Sequence, residues 1–117
     1  MKTAIASPGC IAPGDVKKRR QAGETVQIID VRSSEEFEER HIPEAIHLPL
    51  DALENSASLF DRTAILVTAC GKGGGRSAKG AEILRQLGFR STWLCGGTFG
   101  WIEGGTDLSA LQVLTGL

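Results

Sequence analysis

Ala64-Ile65-Leu66-Val67-Thr68-Ala69-Cys70-Gly71-Lys72-Gly73-Gly74-Gly75-Arg76-Ser77 is the stretch on which the fold turns. Ala64 to Ala69 is apolar on both faces apart from Thr68, the pattern of a central strand buried on both sides of a parallel sheet. A loop of glycines and two cations follows Cys70, and a helix is expected from about Ser77 to Leu87. Gly80, Ile83, Leu84 and Leu87 share one face of that helix. A cysteine between a buried strand and a helix start sits where a fixed scaffold can expose a nucleophile. The thiolate is the reactive form. It is favoured by the positive end of the helix, by Lys72 and Arg76, and by glycine N–H groups turned inward as an anion-binding nest. Gly71, Gly73, Gly74 and Gly75 leave that loop free of Cβ obstruction.

Outward from this loop, the chain alternates strands and helices. Cys10 to Ala12 reads as a short edge strand, and Pro13 opens a helix that Gly23 stops. The run Lys17-Lys18-Arg19-Arg20 fans around most of a helix, so it reads as a solvated end and not a docking stripe. Val26 to Val31 is a strand. Ser33 and Glu36 match a capping box at the start of a short acidic helix reaching Arg40, which His41-Ile42-Pro43 ends. Ala45 to Leu48 and Thr92 to Cys95 are further strands, with helical turns within Pro49 to Phe60 and Thr98 to Glu103. This order implies an α/β domain with a mostly parallel sheet. Ligands bind such sheets at the strands' carboxyl ends, where Asp30, Cys70 and Cys95 are expected to gather.

At 117 residues the chain suits one domain, with a core over about 11–105 and an apolar tail over 106–117. A net charge of −1 gives no reason to expect nucleic acid or an acidic membrane as partner. No stretch approaches the roughly 20 apolar residues of a membrane span, and the first ten residues lack a signal-peptide core. Three cysteines are an odd number, so reduced thiols and a cytoplasmic setting are expected, with Cys10 an incidental thiol. The loop does not supply the P-loop pattern. Gly73-x-Gly75-x-x-Ala78 fits a loose dinucleotide fingerprint, but no acid follows at the end of the next strand. His41 and His47 lack further ligands, so no metal site is expected.

Four motifs together carry a family resemblance. Ile29-Asp30-Val31-Arg32 with Glu35-Glu36-Phe37, the segment His41 to Pro49, the loop Cys70 to Ser77, and Leu94-Cys95-Gly96-Gly97 with Trp101 resemble, in order, the motifs of single-domain rhodaneses, the thiosulfate sulfurtransferases. The resemblance covers roughly Ile11 to Gly105. It implies a three-layer domain with a central, mostly parallel five-stranded sheet flanked by helices. It also implies sulfane-sulfur transfer from thiosulfate to a thiol, cyanide or protein-thiol acceptor through a persulfide on Cys70. No cofactor is expected. The loop N–H groups of residues 71 to 76 would hold the anion. Arg76 would grip substrate oxygens or brace the loop, and Lys72 would draw anions in. Asp30, Ser77 and Cys95 would support the site; Asp30 as an acceptor of backbone N–H bonds, Cys95 as packing or as a resolving thiol for Cys70. Arg32 is expected to pair with Glu35, Glu36 or Glu39, and the histidines to be scaffold residues.

The loop departs from the pattern in one respect. Five residues, not four, separate Cys70 from Arg76, a spacing similar to that of the rhodanese-fold phosphatases and arsenate reductases. Those relatives commonly carry His before the cysteine, where this chain has Ala69. A non-catalytic sulfur carrier or interaction module is the third alternative.

Overall fold

A computed structural model describes residues 9–103. The apolar tail over 106–117 lies outside the described residues. Five parallel strands form one sheet in the order β1-β5-β4-β2-β3: β1 Cys10–Ile11, β2 Val26–Asp30, β3 Ile46–His47, β4 Ile65–Ala69 and β5 Arg90–Leu94. The helices between them are α1 Pro13–Gln21, α2 Ser34–Glu39, α3 Leu50–Ser56, α4 Gly75–Gln86 and α5 Gly97–Glu103, with a 3-10 turn over Ala57–Leu59.

The apolar run places β4 at the centre, where all five of its residues are buried. Its alternate side chains divide the core in two. Ile65, Val67 and Ala69 join Ile28, Val16 of α1 and Trp101 of α5 on one face. Leu66 and Cys70 join Ile29, Val31, Leu53 of α3 and Leu84 of α4 on the other. That is the three-layer α/β architecture expected. Parallel register brings Asp30 opposite Ala69 and Thr68 opposite Trp93. The ends of β2, β4 and β5 therefore share one rim.

Two element starts differ from expectation by two residues, and several other ends by one. Helix α4 starts at Gly75 instead of Ser77, because its first turn closes when the Ser77 N–H donates to the Gly74 carbonyl at 2.9 Å. Strand β5 starts at Arg90 and stops before Cys95, because Arg90 and Ser91 pair with Ile65 and Leu66.

The expectation of three reduced thiols is corrected. Cys10 and Cys95 form a disulfide with Cα atoms 5.0 Å apart, which leaves Cys70 as the free cysteine. The pairing follows from topology: β1 lies beside β5, with Cys10 opposite Trp93, and the Cys95 N–H continues the ladder by donating to the Ile11 carbonyl at 2.9 Å. The compartment argument built on free thiols loses its premise with it.

Candidate functional site

Cys70 follows the last residue of β4 and is 6% exposed. Its neighbours are set by the loop that leads into α4. The sulfur lies 3.0 Å from the Gly74 carbonyl oxygen and 3.2 Å from the Ser77 hydroxyl. Ser77 is fully buried, and its hydroxyl donates to the same Gly74 carbonyl at 2.9 Å. At Gly74, then, a carbonyl and not an N–H faces the sulfur, unlike the all-N–H nest that the glycines suggest. That oxygen accepts from the Cys70 S–H.

The turn after β5 forms the floor of the loop. The Thr98 N–H donates to the Cys70 carbonyl at 2.8 Å, and the Phe99 N–H to the Gly71 carbonyl at 3.0 Å. Gly97 is buried against the loop backbone with φ +65°. The Phe99 ring covers Gly71 and lies under the guanidinium groups of Arg40 and Arg32, 5.3 and 5.7 Å from its centroid. Sequence alone does not mark Gly97, Thr98 and Phe99 as contacts of the loop. The Gly96-Gly97 pair is the available signal, since two adjacent glycines after a strand mark a close backbone approach.

Arg76 is paired with Glu36. Its two terminal nitrogens donate to the two carboxylate oxygens of Glu36 at 2.8 and 3.1 Å. Glu36 also completes the expected capping box with Ser33. The Arg76 hydrogen bonds, then the Ser33 backbone N–H, hold the Glu36 carboxyl down from 4.5 to about 2. The same contact raises Arg76 above its ordinary value. Of the two roles open to Arg76, the described geometry has it bracing α4 against α2. Lys72 is exposed at the loop.

Asp30 and Arg32 form a buried bidentate pair, with the Arg32 Nε and Nη2 donating at 2.8–3.1 Å. This corrects the expected pairing of Arg32 with Glu35, Glu36 or Glu39; β2 ends with Asp30, and Arg32 folds back onto it while its Nη2 also donates to the Arg40 carbonyl. Asp30 accepts the backbone N–H of Arg32 and lies 3.4 Å from the Thr98 hydroxyl. It therefore steadies the start of α5 rather than the glycine loop itself. His41 and His47 stack on Phe37 and bond the carbonyls of Phe37 and Arg32, both scaffold contacts. Cys95 is bonded to Cys10, so its sulfur is committed away from Cys70.

A family model described as a rhodanese-like domain matches residues 12–103. The provisionally named sulfurtransferase YtwF of Bacillus subtilis is 31% identical over 96 residues, 82% of this chain and 91% of that protein. The provisionally named sulfur carrier protein YrkF of the same organism is 32% identical over 74 residues, 63% of this chain; the match spans only 40% of YrkF. Among solved structures, a rhodanese-like domain protein from Staphylococcus aureus superposes with a TM-score of 0.69 at 32% identity, covering 83% of this chain and 92% of that one.

Proposed function

The chain belongs to the rhodanese-like domain family, and on that premise we propose that it is a sulfurtransferase working through a Cys70 persulfide. The observation that carries the reading is the position of the Cys70 sulfur, held at the end of β4 and inside the loop that opens α4. In this reading the Cys70 thiolate attacks the outer sulfur of thiosulfate. The sulfur–sulfur bond breaks, sulfite leaves with the bonding pair, and a persulfide remains on Cys70. A thiol, cyanide or protein-thiol acceptor then attacks the terminal sulfur and returns Cys70 as thiolate. Loop N–H groups stabilise the anionic sulfur and the departing sulfite. Lys72 concentrates small anions at the mouth. A cytoplasmic setting suits the form with Cys10 and Cys95 reduced; the disulfide form belongs to oxidising conditions.

Mass spectrometry after thiosulfate treatment tests this. The Cys70 peptide should gain the mass of one sulfur atom, and cyanide should remove it as thiocyanate. Cys70→Ser should keep the fold and lose both. Wild-type turnover in that variant would sink the mechanism. Loading without release to any acceptor would favour a carrier, the activity in YrkF's name.

The five residues between Cys70 and Arg76 favour a second reading, oxyanion chemistry on phosphate or arsenate. Against it stands Ala69, where those relatives commonly carry His before the cysteine. Aryl-phosphate hydrolysis and arsenate reduction are expected to run far below sulfur transfer on one preparation. Faster Cys70-dependent phosphate or arsenate chemistry would reverse the order.

A further inference from the structure

The Gly74 carbonyl works against sulfur transfer. It stands 3.0 Å from the Cys70 sulfur, and a thiolate or persulfide anion there would face the negative end of a peptide dipole. In a trans peptide the C=O and N–H point in opposite directions, so the Gly75 N–H faces away from the sulfur. The same carbonyl accepts the N–H and the hydroxyl of Ser77, each at 2.9 Å. It thereby satisfies donors of a fully buried residue that would otherwise be unpaired. An anion at the sulfur would draw the Ser77 hydroxyl, 3.2 Å away, off the carbonyl.

We propose that the Gly74–Gly75 peptide turns over when Cys70 becomes anionic, so that the Gly75 N–H replaces the Gly74 carbonyl at the sulfur. Gly75 is then a catalytic hydrogen-bond donor. Its use in turnover rests on the sulfurtransferase reading; the reorientation itself needs only the thiolate.

The backbone permits this motion. Turning one peptide rotates ψ of the residue before it and φ of the residue after it. Gly74 has ψ −160° and Gly75 has φ +46°. A half-turn brings these to about +20° and about −134°, with Gly74 still at φ +80°. Both end states are open to glycine. The motion takes Gly75 from positive to negative φ and turns its N–H towards the sulfur. Ser77 serves both states. Its hydroxyl lies 3.2 Å from the sulfur and can turn to it once the carbonyl leaves.

Gly75→Ala is the test. A Cβ at Gly75 meets nothing within 4 Å, so the substitution acts through φ alone. Alanine disfavours the positive φ of the described state and should shift the balance towards the turned peptide roughly tenfold. Alkylation of Cys70 by iodoacetamide reads thiolate reactivity and requires no sulfur donor. We expect Gly75→Ala to react roughly tenfold faster than wild type at neutral pH, and Gly14→Ala in α1, also unobstructed, to match wild type. A Gly75→Ala rate equal to or below wild type overturns the proposal. A second measurement uses the wild-type chain, in case the variant folds poorly. NMR-detected hydrogen exchange should show the Gly75 amide becoming protected after thiosulfate treatment. Sulfur found on Cys70 with Gly75 still unprotected overturns this proposal alone. Failure to load sulfur, with alkylation still accelerated in Gly75→Ala, overturns the sulfurtransferase reading and supports the turning peptide.

Discussion

At Gly97 an alanine would put its Cβ 2.6 Å from the Gly71 carbonyl and the Gly73 nitrogen, and nearer still to the Cys70 carbonyl. All three are backbone atoms of the loop, so none can swing aside as a side chain would. Gly97→Ala is therefore expected to cost about 1–3 kcal/mol, the range for overpacking, with the positive φ adding to it. Because the displaced atoms carry Cys70, sulfur transfer should fall more steeply than stability does. Denaturant midpoints and thiosulfate:cyanide assays on one preparation check this; a variant with wild-type turnover would show that the floor of the loop is not part of the machinery. Reading single residues from sequence succeeds where the local chain dictates the environment. Cys70 stands out because a buried strand runs straight into it. The facing of the Gly74 carbonyl is not legible, since glycine accepts either direction. Nor is Arg32's choice of Asp30, which needs the turn after β2 to be built first.

Helices α2 and α4 meet through Glu36 and Arg76, 40 residues apart in sequence. The Ser33–Glu36 capping box is visible in the sequence because its partners are three residues apart. The second use of Glu36 is not visible, because it depends on the order of β2 and β4 in the sheet. The pair is half-exposed, so solvent screens it and its worth is about 0.2–1 kcal/mol. Its pH dependence has a definite sign. Glu36 is held below its ordinary 4.5, at about 2, so its contribution is fully present above about pH 4.5 and is lost as pH falls towards 2. Thermal melts of wild type and Glu36→Ala should differ by a constant amount from neutral pH down to about 4.5 and converge near 2. A gap that persists unchanged at pH 2 would mean that Glu36 acts through something other than its charge. Glu36→Ala should also free Arg76 to take an anion, so the KM for thiosulfate should fall several-fold. An unchanged KM would mean that Arg76 is not restrained by Glu36 in solution.

For the molecule as a whole, strand and helix order is readable because apolar strands alternate with helices marked by proline, capping and glycine signals. The Cys10–Cys95 bond is not, because β1 is two residues long and gives no hint of which strand it joins. In the chain-entropy account, a cross-link spanning 85 residues stabilises by several kcal/mol, about 4–5 at most. Reduction, or Cys10→Ser, should lower the denaturant midpoint accordingly while leaving Cys70 in place. An unchanged midpoint would show that the edge strand is secured without sulfur. The bond also makes a covalent ring of nearly everything that matters here: the sheet, the glycine loop and four of the five helices lie between its two sulfurs. Pulled from its termini in a force spectrometer, the oxidised chain could pay out only what lies outside the ring. Reduction would release the enclosed 85 residues, roughly 300 Å of extra contour at about 3.3–3.6 Å per residue. The reactive loop of the oxidised form is thus shielded from tension along the chain, and that of the reduced form is not.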